Sequence, residues 1–510
     1  MASELQSINL VAPGFKGINT EDSPIAQDPT FAEIADNAVI DKRGRVAARK
    51  GHDVLTTNKT VLGTNKTIRA IKQFKDDAGN TKVFSVGNNK IMSGTTTLVD
   101  ETPGSYTISA DNWKMVNFND KIYFFQRGHE PLVYANGGAV AKLSTVAGAS
   151  GVSSTMFGNE VIAGYGRLWT ADFSTDKSTV YWSDLLLGHV WSGGSSGSID
   201  ISTVWPDGHD EIVALAAHNG FLVIFGKRSI VIYQGATAPA SMTLLDTISN
   251  VGCVDRDTVQ NTGTDVIFLS QAGLMSIGRT IQEKSAPISS LSSNITKDII
   301  ISLQTETESF RSAYSPEENF YLLSFVGQDV IYCFDVRGEL DNGAYRVTRW
   351  IGTGFSSFSR LNDGTLYIGT SNGISEYKGY KDNDAKYRFK YYSPGLTFGD
   401  AARIKLLKKI RPTIVSSNVS NAFLKWAYDF STVFSTEKLT LTGGGISGEF
   451  NVSEFNTTSE YTTGDNVTSR RNVNATGYGT SVTVGMEADI NGFALSLQEI
   501  NVMALLGKLL

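Results

Sequence analysis

The chain has 510 residues, of which 41% are hydrophobic, 10% aromatic and 19% charged, a composition that excludes a largely disordered protein. Fifty glycines and only 11 prolines favour many short strands joined by tight turns over a bundle of helices. The formal net charge of −6 argues against a protein whose main task is to bind nucleic acid, because phosphate contacts need an excess of lysine and arginine.

Residues 1–54 are predicted to form an extended N-terminal arm. Pro24 and Pro29, each beside an aspartate or serine, interrupt this segment and leave little room for long strands or helices. An arm of this length must lie on another part of the protein. We therefore assign residues 1–54 to a platform that they form together with the C-terminal part of the chain.

One basic run stands out within the arm, DKRGRVAARKGH at residues 41–52. Its cations include Lys42, Arg43, Arg45 and Arg49. Two interpretations remain open: binding of an acidic partner or of nucleic acid, and a solvent-exposed hairpin with glycine at its turn. The net acidity of the chain favours a protein partner over nucleic acid.

Residues 55–381 contain a unit that recurs seven times. Each unit has a turn of Asn, Asp or Gly, an apolar strand, a second small polar turn and another short strand. The first strands begin near Lys82, Lys121, Gly166, Gly220, Asp265, Asn319 and Gly364. A period of about 40 to 55 residues is the size of one propeller blade. We therefore predict a β-propeller of six or seven blades; the alternative is a set of unrelated hairpins in a large β-sandwich.

The clearest helix signal in this region lies at residues 293–303, SNITKDIIISL. A serine or asparagine cap precedes an apolar run of about three turns, as expected for an amphipathic helix. The three consecutive isoleucines, however, are β-branched and equally suit a strand. Both interpretations remain open at this stage.

Residues 382–510 are predicted to form a second β domain, a sandwich. The composition changes there to Thr, Ser, Asn and Gly with interspersed apolar residues such as Leu424, Trp426 and Tyr428. The predicted fold class is therefore all-β: a propeller, a C-terminal β-sandwich that serves as the platform, and an extended N-terminal arm.

Motifs for catalysis, metals or cofactors are absent from the sequence. The five histidines are scattered, Cys253 and Cys333 lie in or beside apolar stretches, and no phosphate-binding loop or nucleophile elbow occurs. The acidic group at residues 207–211, DGHDE, could supply carboxylates or calcium ligands, but it fits a turn at the start of a blade equally well. We therefore predict no enzymatic activity, no metal and no cofactor.

No run approaches 18 apolar residues, and the first residues, MASELQ, lack the basic-then-apolar pattern of a signal peptide. The sequence therefore predicts no insertion into a membrane.

Three stretches carry a resemblance to a known family. They are GFKGINTEDSPIAQDPTFAEIADNAVIDKRGRVAARKGH at 14–52, VDRDTVQNTGTDVIFLSQAGLMSIGRT at 254–280 and INGFALSLQEINVMA at 490–504. In this order they resemble the N-terminal segment, an internal propeller segment and the C-terminal strand of tail nozzle proteins, or tail tubular protein B, of short-tailed T7-like bacteriophages. The resemblance covers 81 of the 510 residues.

The resemblance implies a structural virion protein of the phage tail that is assembled in the host cytoplasm. Six copies would form a ring below the tail adaptor and enclose the channel through which the genome leaves. The implied partners are other copies of the chain, the adaptor ring, tail fibres and genomic DNA, which would pass through the lumen without sequence-specific binding.

On this basis, four residues of the arm are predicted to dock onto an acidic adaptor rim: Lys42, Arg43, Arg45 and Arg49. The chain is shorter than the familiar T7-type members, so large inserted domains are expected to be missing.

The alternative hypothesis is a propeller that binds a receptor or glycan, with aromatic side chains stacking on sugar rings. The candidate residues are Trp169, Trp182, Trp191 and Trp205. Their irregular spacing favours packing in the core over a role in binding. A glycan-cleaving enzyme is a third hypothesis, against which the absence of the repeated boxes of sialidases argues.

Overall fold

The computed structural model describes residues 5–12, 14–152, 158–282, 290–416, 420–441 and 467–509. Six small sheets and four strands of a nine-stranded sheet form a ring of seven blades. The other strands of the nine-stranded sheet and an eight-stranded sheet form a platform beside the ring. The predicted fold class, an all-β chain with a propeller, a C-terminal β-sandwich and an extended N-terminal arm, is confirmed.

The ring consists of six four-stranded blades and one three-stranded sheet at the fifth position. From the axis outwards, blades 1 to 4 are Ala70–Lys75, Thr81–Gly87, Lys90–Ser93 and Val99–Asp100; Lys114–Phe118, Lys121–Gln126, His129–Ala135 and Ala141–Lys142; Glu160–Gly164, Arg167–Ala171, Thr179–Trp182 and Gly197–Asp200; Ile212–His218, Phe221–Gly226, Ile230–Gln234 and Thr243–Ile248. Sheet 5 and blades 6 and 7 are Gln260–Asn261, Val266–Ser270 and Gly273–Ser276; Phe310–Ser315, Phe320–Phe325, Val330–Glu339 and Tyr345–Ile351; Ser357–Arg360, Leu366–Thr370, Gly373–Tyr377 and His52–Val54.

The ring is closed by pairing between distant parts of the chain. The first strand of blade 7 contacts the first strand of blade 1. The outer strand of blade 7 is His52–Val54 from the N-terminal arm, which pairs antiparallel with Gly373–Tyr377. This pairing covers a strand edge that would otherwise be open to other chains. The arm is therefore shared between the propeller and the platform.

The seven predicted repeats are the central strands of the seven sheets. The predicted strand near Lys121 is Lys121–Gln126, and the one near Gly220 is Phe221–Gly226; each is the second strand of its blade. These strands are apolar because both of their faces are buried between neighbouring blades. The alternative for residues 55–381, unrelated hairpins in a sandwich, is wrong.

The platform consists of two sheets packed face to face. The first sheet has eight strands, with Arg403–Ser416 and Leu495–Leu509 antiparallel at its centre. Its other strands are Leu5–Leu10, Ala38–Ile40, Val46–Ala48, Val467–Arg470, Val473–Asn474 and Tyr478–Gly479. The strands of the second sheet are Ile34–Asp36, Tyr387–Tyr392, Val482–Ile490, Ser420–Tyr428 and Ser435–Leu441. The apolar side chains buried between them, such as Ile410 and Trp426, form the core of the sandwich.

The second platform sheet continues directly into blade 6. Ile34–Asp36 pairs antiparallel with Tyr387–Tyr392 on one side and parallel with Tyr345–Ile351 on the other, at Asp36 and Arg349. The Arg349 Nε donates to the Asp36 carboxylate at 2.8 Å across this junction. One nine-stranded sheet therefore runs through both the propeller and the platform.

Helical segments are short in the described part of the chain. The helix interpretation of residues 293–303 is confirmed: an α-helix spans Thr296–Thr305 after a 3-10 turn at Ser293–Ile295. The remaining helical segments are the α-helix Ile277–Gln282 and the 3-10 turns Leu143–Thr145, Pro239–Ser241 and Arg256–Thr258. Among these described helices, none is long and apolar enough to cross a membrane.

Candidate ligand site on the propeller axis

A cavity of about 350 Å³ lies where the first strands of five of the seven sheets approach the axis. Its size is within the range of pockets that hold small ligands. The cationic side chains that line it are Arg69, Lys72, Lys114, Arg311 and Arg360. The one carboxylate among the lining residues is Asp257. The cavity therefore has an excess of positive charge, although the whole chain is acidic.

Asp257 is the centre of an ion-pair network that crosses the axis. It lies in the 3-10 turn Arg256–Thr258 and pairs with Arg311 Nη1 at 3.0 Å, Lys114 Nζ at 3.5 Å and Arg256 Nε at 3.7 Å. Burial disfavours the charged carboxylate, but the surrounding cations outweigh it and hold the pKa of Asp257 well below its usual range. Asp257 is therefore ionised and already shared among three cations.

Glu160 adds a second carboxylate beside this network. It begins the first strand of blade 3, is 1% exposed and lies 3.6 Å from Lys114 Nζ. Its Oε2 has no hydrogen-bond partner among the described residues. Burial raises the pKa of Glu160 to about 7, although Lys114 and Arg256 favour its charged form. Near neutral pH, Glu160 therefore neutralises only part of the positive charge.

Two cations on the axis are incompletely satisfied. No hydrogen bond or ion pair within the described residues engages the ammonium group of Lys72, and burial together with the charge of Lys114 lowers its pKa. Arg256 is 2% exposed; its Nη2 donates to the carbonyl oxygen of Asn112 at 2.7 Å, whereas its Nε and Nη1 have no hydrogen-bond partner in the described structure. Arg256 is buried and Lys72 is half-buried, and cations left unsatisfied in this way favour the binding of an anion.

The cations at the rim differ from those inside. Arg69 Nη1 pairs with the Glu308 carboxylate at 2.7 Å, and Arg360 pairs with Glu317 through Nε at 2.8 Å. Their charges are therefore balanced by local carboxylates. The uncompensated charge belongs to the inner residues, above all to Lys72.

The polar floor of the cavity is held in place by hydrogen bonds. Gln260 Nε2 donates to Ser312 Oγ at 3.0 Å, and Ser312 Oγ donates to the carbonyl oxygen of Asp257 at 2.6 Å. Arg311 Nη2 donates to Asn112 Oδ1 at 3.2 Å. A site ordered in this way loses little conformational entropy when a ligand binds.

The basic run of the arm forms the hairpin that its sequence suggests. Strands Ala38–Ile40 and Val46–Ala48 pair antiparallel, and Gly44 occupies a left-handed conformation, φ 76°, at the turn. Lys42 and Arg43 are exposed, whereas Arg45 Nε donates to the Asp41 carboxylate at 2.7 Å. Docking through Lys42, Arg43 and Arg45 stays a prediction.

Arg49 requires a correction, because its side chain is buried inside the fold. Its guanidinium group pairs with both carboxylate oxygens of Asp382, at 2.8 and 2.6 Å, and lies 4.3 Å from the centre of the Tyr387 ring. The side chain is 0% exposed. Arg49 therefore attaches the arm to the start of the platform and is not available to a separate partner.

The four tryptophans considered for sugar stacking are buried. Trp169, Trp182, Trp191 and Trp205 are each at most 8% exposed and belong to the cores of the blades. The packing interpretation is therefore confirmed, and any glycan must be bound by other residues.

The acidic group at residues 207–211 has a structural role. The Asp210 carboxylate accepts hydrogen bonds of 2.8 to 3.0 Å from the backbone N–H groups of Glu211, Lys227, Arg228 and Ser229. It thereby orders the turn between two strands of blade 4. In the part of the chain that the structure describes, no three His, Cys, Asp or Glu side chains are grouped to hold a metal ion.

Sequence reasoning did not find the axial residues. Lys72, Lys114, Asp257 and Arg311 lie in or beside the first strands of their sheets and are spread over 240 positions. The sequence signal for these residues is a charged or polar side chain within the first strand of a blade whose other strands are apolar. AIKQFK at residues 70–75 is an example.

No family model matches this chain, and no curated protein matches it. The extracellular domain of a putative hybrid two-component system from B. thetaiotaomicron is similar in structure: 12% identity and a TM-score of 0.41, over 66% of this chain and 41% of that one. PorZ, a surface component of the type-IX secretion system of Porphyromonas gingivalis, has 13% identity and a TM-score of 0.37, over 68% and 43%. The Neurospora crassa Pan2 WD40 domain has 10% identity and a TM-score of 0.34, over 65% and 94%. The chain thus spans less than half the length of the two bacterial proteins, and similarities this low assign no function.

Proposed function

We propose that this chain is a binding protein whose propeller recognises a surface receptor or glycan through the axial cavity. The observation that carries the proposal is the cavity itself, about 350 Å³ in volume and lined by polar and cationic side chains from five of the seven sheets. A saccharide offers many hydroxyl groups, and a cavity rich in fixed donors and acceptors is suited to bind them.

The geometry of the floor supports the same proposal. Gln260 and Ser312 are fixed by hydrogen bonds, while Tyr314 and Ser359 also line the cavity. Rigid blades position these residues, so that specificity can arise without movement of the backbone. The buried tryptophans contribute the stability of this frame and not the contact with sugar.

The proposal is tested by measuring the binding of purified bacterial surface polysaccharides by isothermal titration calorimetry. The variant Asn261→Trp places a large side chain at the exposed mouth of the cavity, and Gln234→Trp is the matched control on the exposed end of a blade 4 strand. Because the large side chain obstructs the cavity, we expect Asn261→Trp to bind at least tenfold more weakly, a loss of about 1.4 kcal/mol in binding free energy. The control should bind as the unaltered protein does. Failure of the unaltered protein to bind, or equal binding by both variants, would contradict the proposal.

The second candidate function is the hexameric nozzle that the sequence resemblance implies. The observation that favours contacts between copies is an exposed apolar turn, Leu185, Leu186 and Leu187. Hydrogen bonds hold it in place: Leu186 N–H donates to the carbonyl oxygen of Gly166 at 2.8 Å, and Asn119 Nδ2 donates to the carbonyl oxygen of Leu186 at 2.7 Å. Exposed leucines held in a fixed arrangement suit burial against another protein.

In this second proposal, Lys42, Arg43 and Arg45 dock onto the tail adaptor, and the ring encloses the path of the genome. Sedimentation analysis of the protein alone and with the adaptor complex distinguishes the two proposals. A six-copy ring that forms on the adaptor, and that Leu186→Asp prevents, supports the nozzle. A protein that remains monomeric in both conditions refutes it.

A further inference from the structure

The four inner cations of the propeller axis exceed the carboxylates beside them. Lys72, Lys114, Arg256 and Arg311 come from blades 1, 2 and 6 and from the turn before sheet 5. The carboxylates beside them belong to Asp257, Glu160 and Asp255. The cations hold the pKa of Asp257 well below its usual range, whereas burial raises the pKa of Glu160 and of Asp255. Four cations therefore face three carboxylates, and burial favours the neutral form of two of those carboxylates, so that the inner axis has an excess of positive charge.

An arrangement of this kind is unfavourable without a counter-charge. Burying a cation costs free energy that only an opposite charge or good hydrogen bonds offset. Asp257 cannot supply more, because three cations already share it. Lys72 faces the like charge of Lys114, which together with burial lowers its pKa.

A second observation is independent of the count of charges. Arg256 is nine-tenths or more buried, and two of its three guanidinium nitrogens have no hydrogen-bond partner in the described structure. Buried donors are normally satisfied in folded proteins. Arg256 lies on the wall of the adjoining cavity, which shares Asn112 with the axial one.

We infer that the axial cavity binds an oxyanion, the phosphate, sulfate or carboxylate group of an acidic ligand, between Lys72 and Lys114. Charge-assisted hydrogen bonds from these ammonium groups and from Arg311 are the strong kind that such a group accepts. The inference rests on the proposed function in that it concerns the same cavity, and it narrows the ligand to acidic saccharides. Neutral saccharides would leave the inner cations uncompensated.

The test uses the full chain with inorganic phosphate and inorganic sulfate as probes, at constant ionic strength and near pH 7.5. Lys72→Met removes the inner charge, Lys72→Arg keeps it, and Lys66→Met makes the same change at an exposed position outside the cavity. We expect phosphate or sulfate to bind the unaltered protein, Lys72→Arg and Lys66→Met with similar Kd, and Lys72→Met with a Kd about tenfold higher.

Stability provides a second readout. Without an added anion, Lys72→Met should be at least as resistant to chemical denaturation as the unaltered protein, because it removes the repulsion of Lys114. With phosphate, the unaltered protein should gain more stability than the variant. Failure of both probes to bind the unaltered protein, or an equal Kd for Lys72→Met, would overturn the inference.

The outcomes separate this inference from the proposed function. Binding of phosphate without binding of any surface polysaccharide supports the oxyanion site and counts against the receptor or glycan role. Binding of a neutral polysaccharide in the cavity, unaffected by Lys72→Met, supports the role and overturns the oxyanion site.

Discussion

Replacing Glu160 by glutamine should remove a pH dependence of stability that this one carboxyl group creates. The side chain is 1% exposed, and burial raises its pKa to about 7 from an ordinary value of 4.5. A carboxyl group with a raised pKa holds its proton more tightly in the folded chain than in the unfolded chain. Its contribution to stability is therefore fully present below about pH 4.5 and is lost as the pH rises through about 7.

The magnitude follows from the pKa change. One pKa unit corresponds to about 1.4 kcal/mol, so that a change from 4.5 to about 7 is worth about 3 kcal/mol. Between pH 5 and pH 8 the folded protein should lose about 2.5 kcal/mol of this contribution. Glutamine does not titrate, and Glu160→Gln should lack this part of the dependence. The attraction between Lys114 and ionised Glu160 is already included in this pKa, and in the variant the neighbour of Lys114 is neutral at both pH values.

The assay is equilibrium denaturation in guanidinium chloride at pH 5 and at pH 8 for both proteins. The quantity of interest is the difference between the two pH dependences, because all other titrating groups contribute equally to both. We expect the free energy of unfolding of Glu160→Gln to rise relative to that of the unaltered protein between pH 5 and pH 8. Parallel pH dependences would refute the reasoning, since they would mean that the buried carboxyl group keeps an ordinary pKa.

Three further predictions concern stability and reactivity. Arg49→Met should lower the free energy of unfolding by about 3 to 5 kcal/mol, because it leaves the largely buried Asp382 carboxylate without its arginine partner. Lys42→Met, at an exposed position of the same basic run, should change the free energy of unfolding by less than about 0.5 kcal/mol. Equal effects of the two variants in denaturation would contradict the structural role of Arg49. Asp210→Ala should lower the free energy of unfolding by about 2 to 4 kcal/mol, since it leaves backbone N–H groups of a blade 4 turn unsatisfied. An unchanged denaturation midpoint would show that Asp210 does not stabilise this turn. Cys253 and Cys333 are buried, and burial raises the pKa of Cys253 to about 12. Neither thiol should therefore react with a thiol reagent at pH 8 until the chain is unfolded. Rapid labelling of the native protein would contradict this prediction and would show that the blades open.

The central strands of the propeller could be predicted because their signal is local. A strand such as Phe221–Gly226 is apolar throughout and is bounded by Asn and Gly turns, so that a window of a dozen residues identifies it. The first strands were harder to predict, because one of their faces meets a polar axis. Ser357–Arg360 and Gln260–Asn261 carry no apolar alternation of their own.

The basic run of the arm shows where local reasoning ends. Its charges and the glycine at position 44 predicted a hairpin, which is present. The sequence could not distinguish Arg49 from Lys42, although one side chain is buried and the other exposed. The difference depends on Asp382, which is 333 positions further along the chain.

By itself, the sequence determined the all-β class and the repeated central strands, since both follow from composition and short-range periodicity. Only the tertiary structure decided the rest. It joined His52–Val54 to Gly373–Tyr377, continued a platform sheet into blade 6, and brought Lys72, Lys114 and Asp257 together on one axis. These features depend on the closure of a ring, which places residues far apart in the chain beside one another, and no local pattern encodes such a distance.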